Sequence, residues 1–191
     1  MKHLGFLALA LVTTAACGKK GGDSAPAKPI DVAGVNALVP ASLKDKLVFE
    51  ETKIAEERGK KTVTYTVASP KGWVEGFKGF AQRKPTDSDS FMTKFSVGTN
   101  CDGACQPKDW SEVVGKVYKS YLSGKVEKDE KGKNSRTIIA ESGDQKIVLV
   151  ATWADGASRY SSCEATLDKQ WWDAAPAFAK ACEAVNVSGA D

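Results

Sequence analysis

The chain has 191 residues, 42% of them hydrophobic, with 27 Lys and Arg against 24 Asp and Glu, a single His and five Cys. That length suits one globular domain with a buried core. A net charge of +3 is too small a basic excess for a nucleic-acid partner.

Lys2 supplies positive charge, Leu4 to Val12 an apolar stretch and Thr13 to Ala16 a small-residue exit, the three-part layout of a signal peptide spanning residues 1–16. The apolar stretch is too short for a spanning helix, which needs about 20 residues, and nothing later approaches that length. The run Thr14-Ala15-Ala16-Cys17 resembles the lipobox of bacterial lipoproteins. The resemblance implies that Cys17 is acylated, with palmitate among the chains, and becomes the new N-terminus. Several chains, each contributing about 0.8 kcal/mol per buried CH₂, make such an anchor effectively permanent. Gly18, where an acidic residue would mark inner-membrane retention, resembles the sorting pattern for the outer membrane. The expected location is therefore the cell envelope, with the membrane as first partner.

Residues 17–29 hold the anchor cysteine and a Gly-, Pro-, Ala- and Lys-rich stretch that reads as a flexible tether. Residues 30–191 read as a single α+β domain. Lys46 to Ile54 and Lys61 to Ala68 are expected strands, joined by a polar turn from Glu56 to Lys60. In the second, Val63, Tyr65 and Val67 alternate with Thr62, Thr64 and Thr66, the period of a sheet with one face buried. Ser69-Pro70-Lys71-Gly72 breaks the strand before Trp73, and Phe91 to Thr99 is a third strand.

Trp110, Val113, Val114, Val117, Tyr118, Tyr121 and Leu122 fall at helical spacing. They predict one long helix, capped by Asp109 with Glu112 and closed by Gly124. Asp129 to Lys133 reads as a hydrophilic connection. Lys125, Lys128, Lys131 and Lys133 could lean on anionic lipid, but Glu127, Asp129 and Glu130 cancel most of that charge. Arg136 to Glu141, Lys146 to Ala154 and Ser158 to Thr166 are three further strands, turning at Ser142-Gly143-Asp144 and Asp155-Gly156. The unbroken apolar run Ile147 to Ala151 requires covering layers on both sheet faces. Asp168 is placed to cap a closing helix with a buried stripe of Trp171, Ala175, Phe178, Ala179 and Cys182.

Cys182 shares that stripe with Phe178 and Cys163 lies in the preceding strand, so they are the preferred disulfide. Cys101 and Cys105 then close the small loop CDGAC, and Cys17 is the odd one left for acylation. A redox site at Cys101 and Cys105 is the rival, although three intervening residues depart from thioredoxin spacing. A four-cysteine zinc site would need two tight pairs, which Cys163 and Cys182 do not form.

His3 leaves with the signal peptide, so histidine triads, dyads and histidine-held metals are excluded from the mature chain. Histidine-free hydrolysis by paired carboxylates stays open. Its candidates, Asp87, Asp89, Glu112, Glu127, Asp129, Glu130, Glu141, Asp144 and Asp155, are scattered through turns and polar faces. No cofactor or metal motif is read. Trp172, beside the buried Trp171, is the candidate partner contact, because a Trp off the core stripe is an interface residue type.

The order of strands and helices from Val63 to Val187, with Ser69-Pro70-Lys71-Gly72-Trp73, Arg159-Tyr160-Ser161-Ser162-Cys163 and Phe178-Ala179-Lys180-Ala181-Cys182, resembles the PsbP/Mog1-like proteins. That likeness implies an α/β/α sandwich with a mainly antiparallel sheet. It also implies a non-catalytic assembly or binding role toward an envelope protein or a small ligand.

Overall fold

The computed structural model describes residues 29–59, 61–75, 81–83, 93–100, 110–153 and 159–189. The leader, Cys17, most of the tether, Phe91, Cys101, Cys105, Asp109, Asp87, Asp89, Ser158 and the Asp155-Gly156 turn lie outside them. In chain order the elements are α1 (Val32–Ala37), β1 (Phe49–Arg58), β2 (Lys61–Pro70), β3 (Val74–Glu75), β4 (Ala81–Arg83), β5 (Lys94–Asn100), α2 (Trp110–Val117), α3 (Lys119–Leu122), β6 (Lys125–Lys131), β7 (Ser135–Ser142), β8 (Gln145–Trp153), β9 (Tyr160–Asp168), α4 (Ala175–Glu183) and β10 (Asn186–Ser188). Short 3-10 turns occupy Ala41–Leu43 and Lys169–Ala174.

The chain forms two antiparallel sheets with flanking helices, the expected α+β class. One sheet has the order β1-β2-β10 and the other β3-β4-β5-β9-β8-β7-β6. The apolar run of β8 explains the layering. Val148 and Val150 join α1, α4 and the small sheet in one core, whereas Ile147, Leu149, Ala151 and Trp153 pack with Val114 of α2 and with Tyr118, Tyr121 and Leu122 in another. Phe178 of α4 centres the larger core, its ring 5.1 Å from Phe49, 5.9 Å from Trp73 and 6.1 Å from Phe95. The whole expected stripe of α4, Trp171 included, is buried.

In the first hairpin Val63, Tyr65 and Val67 are buried, as the alternation requires. Pairing runs further than expected, from Phe49↔Pro70 to Arg58↔Lys61, so Glu56 and Glu57 belong to the strand. A two-residue connection suffices because Gly59 takes the left-handed conformation at φ 62°. Tyr65 donates its hydroxyl to Glu56 across the pair at 2.8 Å. At the start of β1, Asn36 of α1 stands in for a neighbouring strand. Its amide donates to the Phe49 carbonyl at 2.9 Å and its side-chain oxygen accepts the Phe49 N–H at 2.7 Å.

Three other expectations are corrected. The single long helix is broken at Tyr118, whose φ −97° and ψ 20° separate α2 from α3. The hydrophilic connection expected from Asp129 to Lys133 begins instead inside edge strand β6, which pairs to β7 with an irregularity between Val126 and Lys128. An edge strand has one hydrogen-bonded neighbour and tolerates charge on both faces, which also discourages further pairing. Asp168 does not cap the closing helix, which is entered through the 3-10 turn. Its carboxylate instead accepts the hydroxyl of the fully buried Thr93 at 2.6 Å, while its N–H donates to the same oxygen at 3.1 Å. Replacing Thr93 by Val should leave both Asp168 groups short of a partner and lower unfolding stability by about 1 to 2 kcal/mol. Urea denaturation of the two proteins measures this, and an unchanged midpoint would refute it.

Candidate functional site

Cys163 of β9 and Cys182 of α4 form a disulfide with a Cα separation of 5.2 Å, the pairing expected from the helix stripe. Both are almost fully buried. Beside them lies a cavity of about 250 Å³ whose walls include Val150, Thr152, Glu183 and Val187. Its lining mixes apolar side chains with Thr152, Ser161, Ser162 and Asn186 and carries one carboxylate, Glu183, so it offers no pair of titrating groups for acid–base work.

Among the described carboxylates, the structure brings together Glu127 and Glu141. Glu127 sits at the irregularity of β6 and Glu141 on β7, both beside Lys146 of β8. The Lys146 ammonium lies 2.7 Å from Glu127 and 3.3 Å from Glu141, and Lys125 lies 3.3 Å from Glu141. A hydrogen bond with Glu127, and after it those from Lys125 and Lys146, hold the Glu141 carboxyl below the usual range. A general acid needs the opposite shift. Asp129 is likewise lowered, through its hydrogen bonds with Arg136, and Asp144 through its contact with Lys169 at 2.7 Å. Glu130 pairs with Lys128 at 3.2 Å on the surface and Glu112 is exposed.

Trp172 is half-buried and engaged within the chain. Its indole N–H donates to the Leu167 carbonyl at 3.0 Å, and the Lys146 ammonium sits 5.1 Å from its ring centroid. Lys146 therefore links the Trp172 ring to the Glu127 and Glu141 carboxylates.

A different constellation arises where β5 and β9 pair. Both strands alternate sharply. Phe95, Val97, Cys163, Ala165 and Leu167 enter the larger core, so Lys94, Ser96, Gly98, Asn100, Ser162, Glu164 and Thr166 share the opposite face. On the adjoining strand β8 that face carries Ile147 and Leu149, buried with the helices. One strand further, Tyr160 and Thr166 at the two ends of this face stay buried, while the polar residues between them and those facing them on β5 are partly buried.

Glu164 occupies the centre of this face. Its side chain retains only 17% of its exposure, and Tyr118, at the break between α2 and α3, donates its hydroxyl to Oε2 at 2.7 Å. Thr166 donates to Oε1 at 3.2 Å, and the Lys94 ammonium lies 3.9 Å away. Asn100 donates to Ser162 at 2.8 Å, ordering the far end of the row. The Tyr121 ring lies 6.4 Å from Tyr118, and burial and the Glu164 charge push its phenol upward in pKa. The break at Tyr118 thus sets two aromatic rings along one border of a hydrogen-bonding floor.

Sequence reasoning placed Tyr118 and Tyr121 on the buried stripe of a continuous helix and did not single out Glu164 or Lys94. The available signal was the polar row Ser162, Glu164 and Thr166 interleaved with Cys163, Ala165 and Leu167, which reads equally as an ordinary solvent face. Among the described residues no group of three or more acidic, Cys or His side chains is placed to hold a metal, and no helix is long and apolar enough to cross a membrane. No family model matches the chain, and no curated protein matches its sequence.

Proposed function

We propose that this protein is a lipid-anchored component of the bacterial cell envelope whose folded domain binds a partner or ligand without transforming it. The binding half of the reading is carried by the ordered polar face around Glu164, which lies in a sheet whose next strand is covered on the same side. A protein that only needed a stable sandwich would gain by covering that face with apolar residues. The shifted carboxylates are lowered and spent on internal ion pairs, a state suited to holding structure more than to moving protons.

The address rests on the leader and Cys17, supported by the disulfide in the folded part, a bond that persists in oxidising compartments. The PsbP/Mog1-like resemblance agrees with a non-catalytic role. Outer-membrane attachment facing the periplasm or the surface is the destination that Gly18 favours.

Two measurements test these halves separately. Growth with an alkyne-labelled palmitate should label the wild-type protein and leave Cys17→Ser unlabelled, and absence of label from the wild type would refute the anchor. A photocrosslinking residue at Ser96 should give a defined adduct in the native envelope, whereas one at the exposed Lys53 of β1 should not. Identical patterns at both positions, or none at either, would refute the binding face.

A further inference from the structure

We propose that the outer edge of β1 pairs with the same edge of a second copy of this chain, joining two β1-β2-β10 sheets across a two-fold axis at Ala55. β1 is the end strand of its sheet, so among the described residues one side of this 10-residue strand has no strand beside it. Which residues face that side follows from the hydrogen bonds. Just beyond the β1–β2 ladder the Val48 carbonyl accepts the Lys71 N–H at 2.7 Å, whereas the Phe49 N–H and carbonyl point the other way, to the Asn36 side chain. Along an antiparallel strand this direction alternates residue by residue. Glu51, Lys53, Ala55 and Glu57 therefore turn their N–H and carbonyl groups to the outer edge, and all four are exposed.

Charges on an edge ordinarily discourage pairing, and here they do so in every two-fold register but one. Antiparallel pairing about such an axis sets the outward-facing residues of the two copies opposite one another. An axis at Glu51, Lys53 or Glu57 opposes each of these charges to itself, and an axis at Glu56 does the same to its carboxylate. An axis at Ile54 sets Glu51 against Glu57 of the second copy. An axis at Thr52 brings Ala55 onto Phe49 of the second copy, whose backbone Asn36 already holds.

An axis at Ala55 meets none of these obstacles. It sets Lys53 opposite Glu57 of the second copy, twice by symmetry, and the small Ala55 side chains meet at the centre. The paired stretch from Lys53 to Glu57 stays clear of the Asn36 contact at Phe49. A foreign peptide would have to bring an acid and a base at this same spacing, whereas a second copy carries both already.

The test is crosslinking in the intact envelope, with single cysteines placed on β1 of the full chain and a short bismaleimide as reagent. Ala55→Cys should give a dimer of this chain, because residues paired at the axis lie about 5.5 Å apart between Cα atoms. Glu51→Cys should not, because in this register its two copies lie about 27 Å apart along the strands. Adding Lys53→Glu should lower the Ala55→Cys dimer yield about tenfold or more, and adding Glu57→Lys as well should restore it, since the exchanged pair is again complementary. Both positions are exposed, so the unfolding midpoints should stay at the wild-type value. A photocrosslinking residue at Lys53 removes the same charge from both copies, so that control should remain without an adduct. The proposal is overturned if Ala55→Cys gives no dimer, if Glu51→Cys gives as much, if Lys53→Glu leaves the yield unchanged, or if the double exchange fails to restore it. A crosslink from Ala55→Cys to a different protein would assign the edge to a foreign strand and equally overturn it. None of these results depends on the β5–β9 face, so this inference and the proposed function fail separately.

Discussion

Replacing Cys163 and Cys182 together by alanine should lower unfolding stability by about 3 kcal/mol, since the bridge closes a loop of 19 residues whose freedom in the unfolded chain is then restored. For a domain of this size that is a fall of roughly 6 to 12 °C in the thermal midpoint. The effect should be this large because of where the bridge lies. β9 is an interior strand that carries both the larger core and the Glu164 floor, and α4 packs against β8, β9 and β2. Without the bond, α4 is held to the sheet by its apolar stripe alone. Thermal unfolding with Cys101 and Cys105 changed to serine in both arms isolates this bridge. There, reductant should lower the midpoint of the protein that retains Cys163 and Cys182 and leave the alanine variant unmoved. A loss below about 1 kcal/mol would show that the bond constrains little beyond what packing already holds.

The same region shows what a sequence can disclose. The Cys163–Cys182 pairing was legible because Cys182 falls four residues after Phe178 on a helix stripe, a local periodicity that fixes direction. The covering of β8 on both faces was legible for a similar reason: five consecutive apolar residues cannot face water on alternate sides. Short or edge elements were not. α1 spans six residues with one fully buried side chain, Val35, and β10 spans three, so neither leaves a period to detect. β6 alternates weakly because an edge strand has little to bury.

At the break, Tyr118 bonds to a partner 46 residues away, Glu164, and no local propensity announces such a contact. That is also why the candidate site escaped the sequence. Its members come from β5, β9 and the α2–α3 junction, and only the antiparallel register sets Ser96 opposite Glu164. The strongest motif-like features, the cysteines and the scattered carboxylates, drew attention to chemistry that the fold uses for its own cohesion.

The other large effect is expected at Asp129. Arg136 is 4% exposed and donates in fork geometry to both carboxylate oxygens of Asp129, each at 2.9 Å, while its remaining amino group donates to the Ser111 carbonyl. This clamp ties β6 and β7 to α2. It also accounts for Gly115, where a Cβ would run into the Arg136 guanidinium. Asp129→Ala leaves a buried guanidinium without its counter-ion, for which a loss of about 3 kcal/mol is expected, at the low end for buried pairs because Asp129 is partly exposed.

The pH dependence follows in sign. Hydrogen bonding to Arg136 lowers the Asp129 carboxyl in the folded state, so its contribution is complete above the unfolded value of about 3.9. It is lost as pH falls through the lower folded value. Asp129→Asn should therefore destabilise most near neutrality, and the gap to wild type should close progressively in acid. Urea unfolding across that range measures the difference, which cancels the common contribution of Asp144 and Glu141. A constant gap would mean that the loss at neutrality reflects packing around β6 and not the charge of the pair. Replacing Arg136 by Met together with Asp129 by Leu discriminates further: removing both charges should recover much of the single-site loss, because the unpaired guanidinium is the costly species.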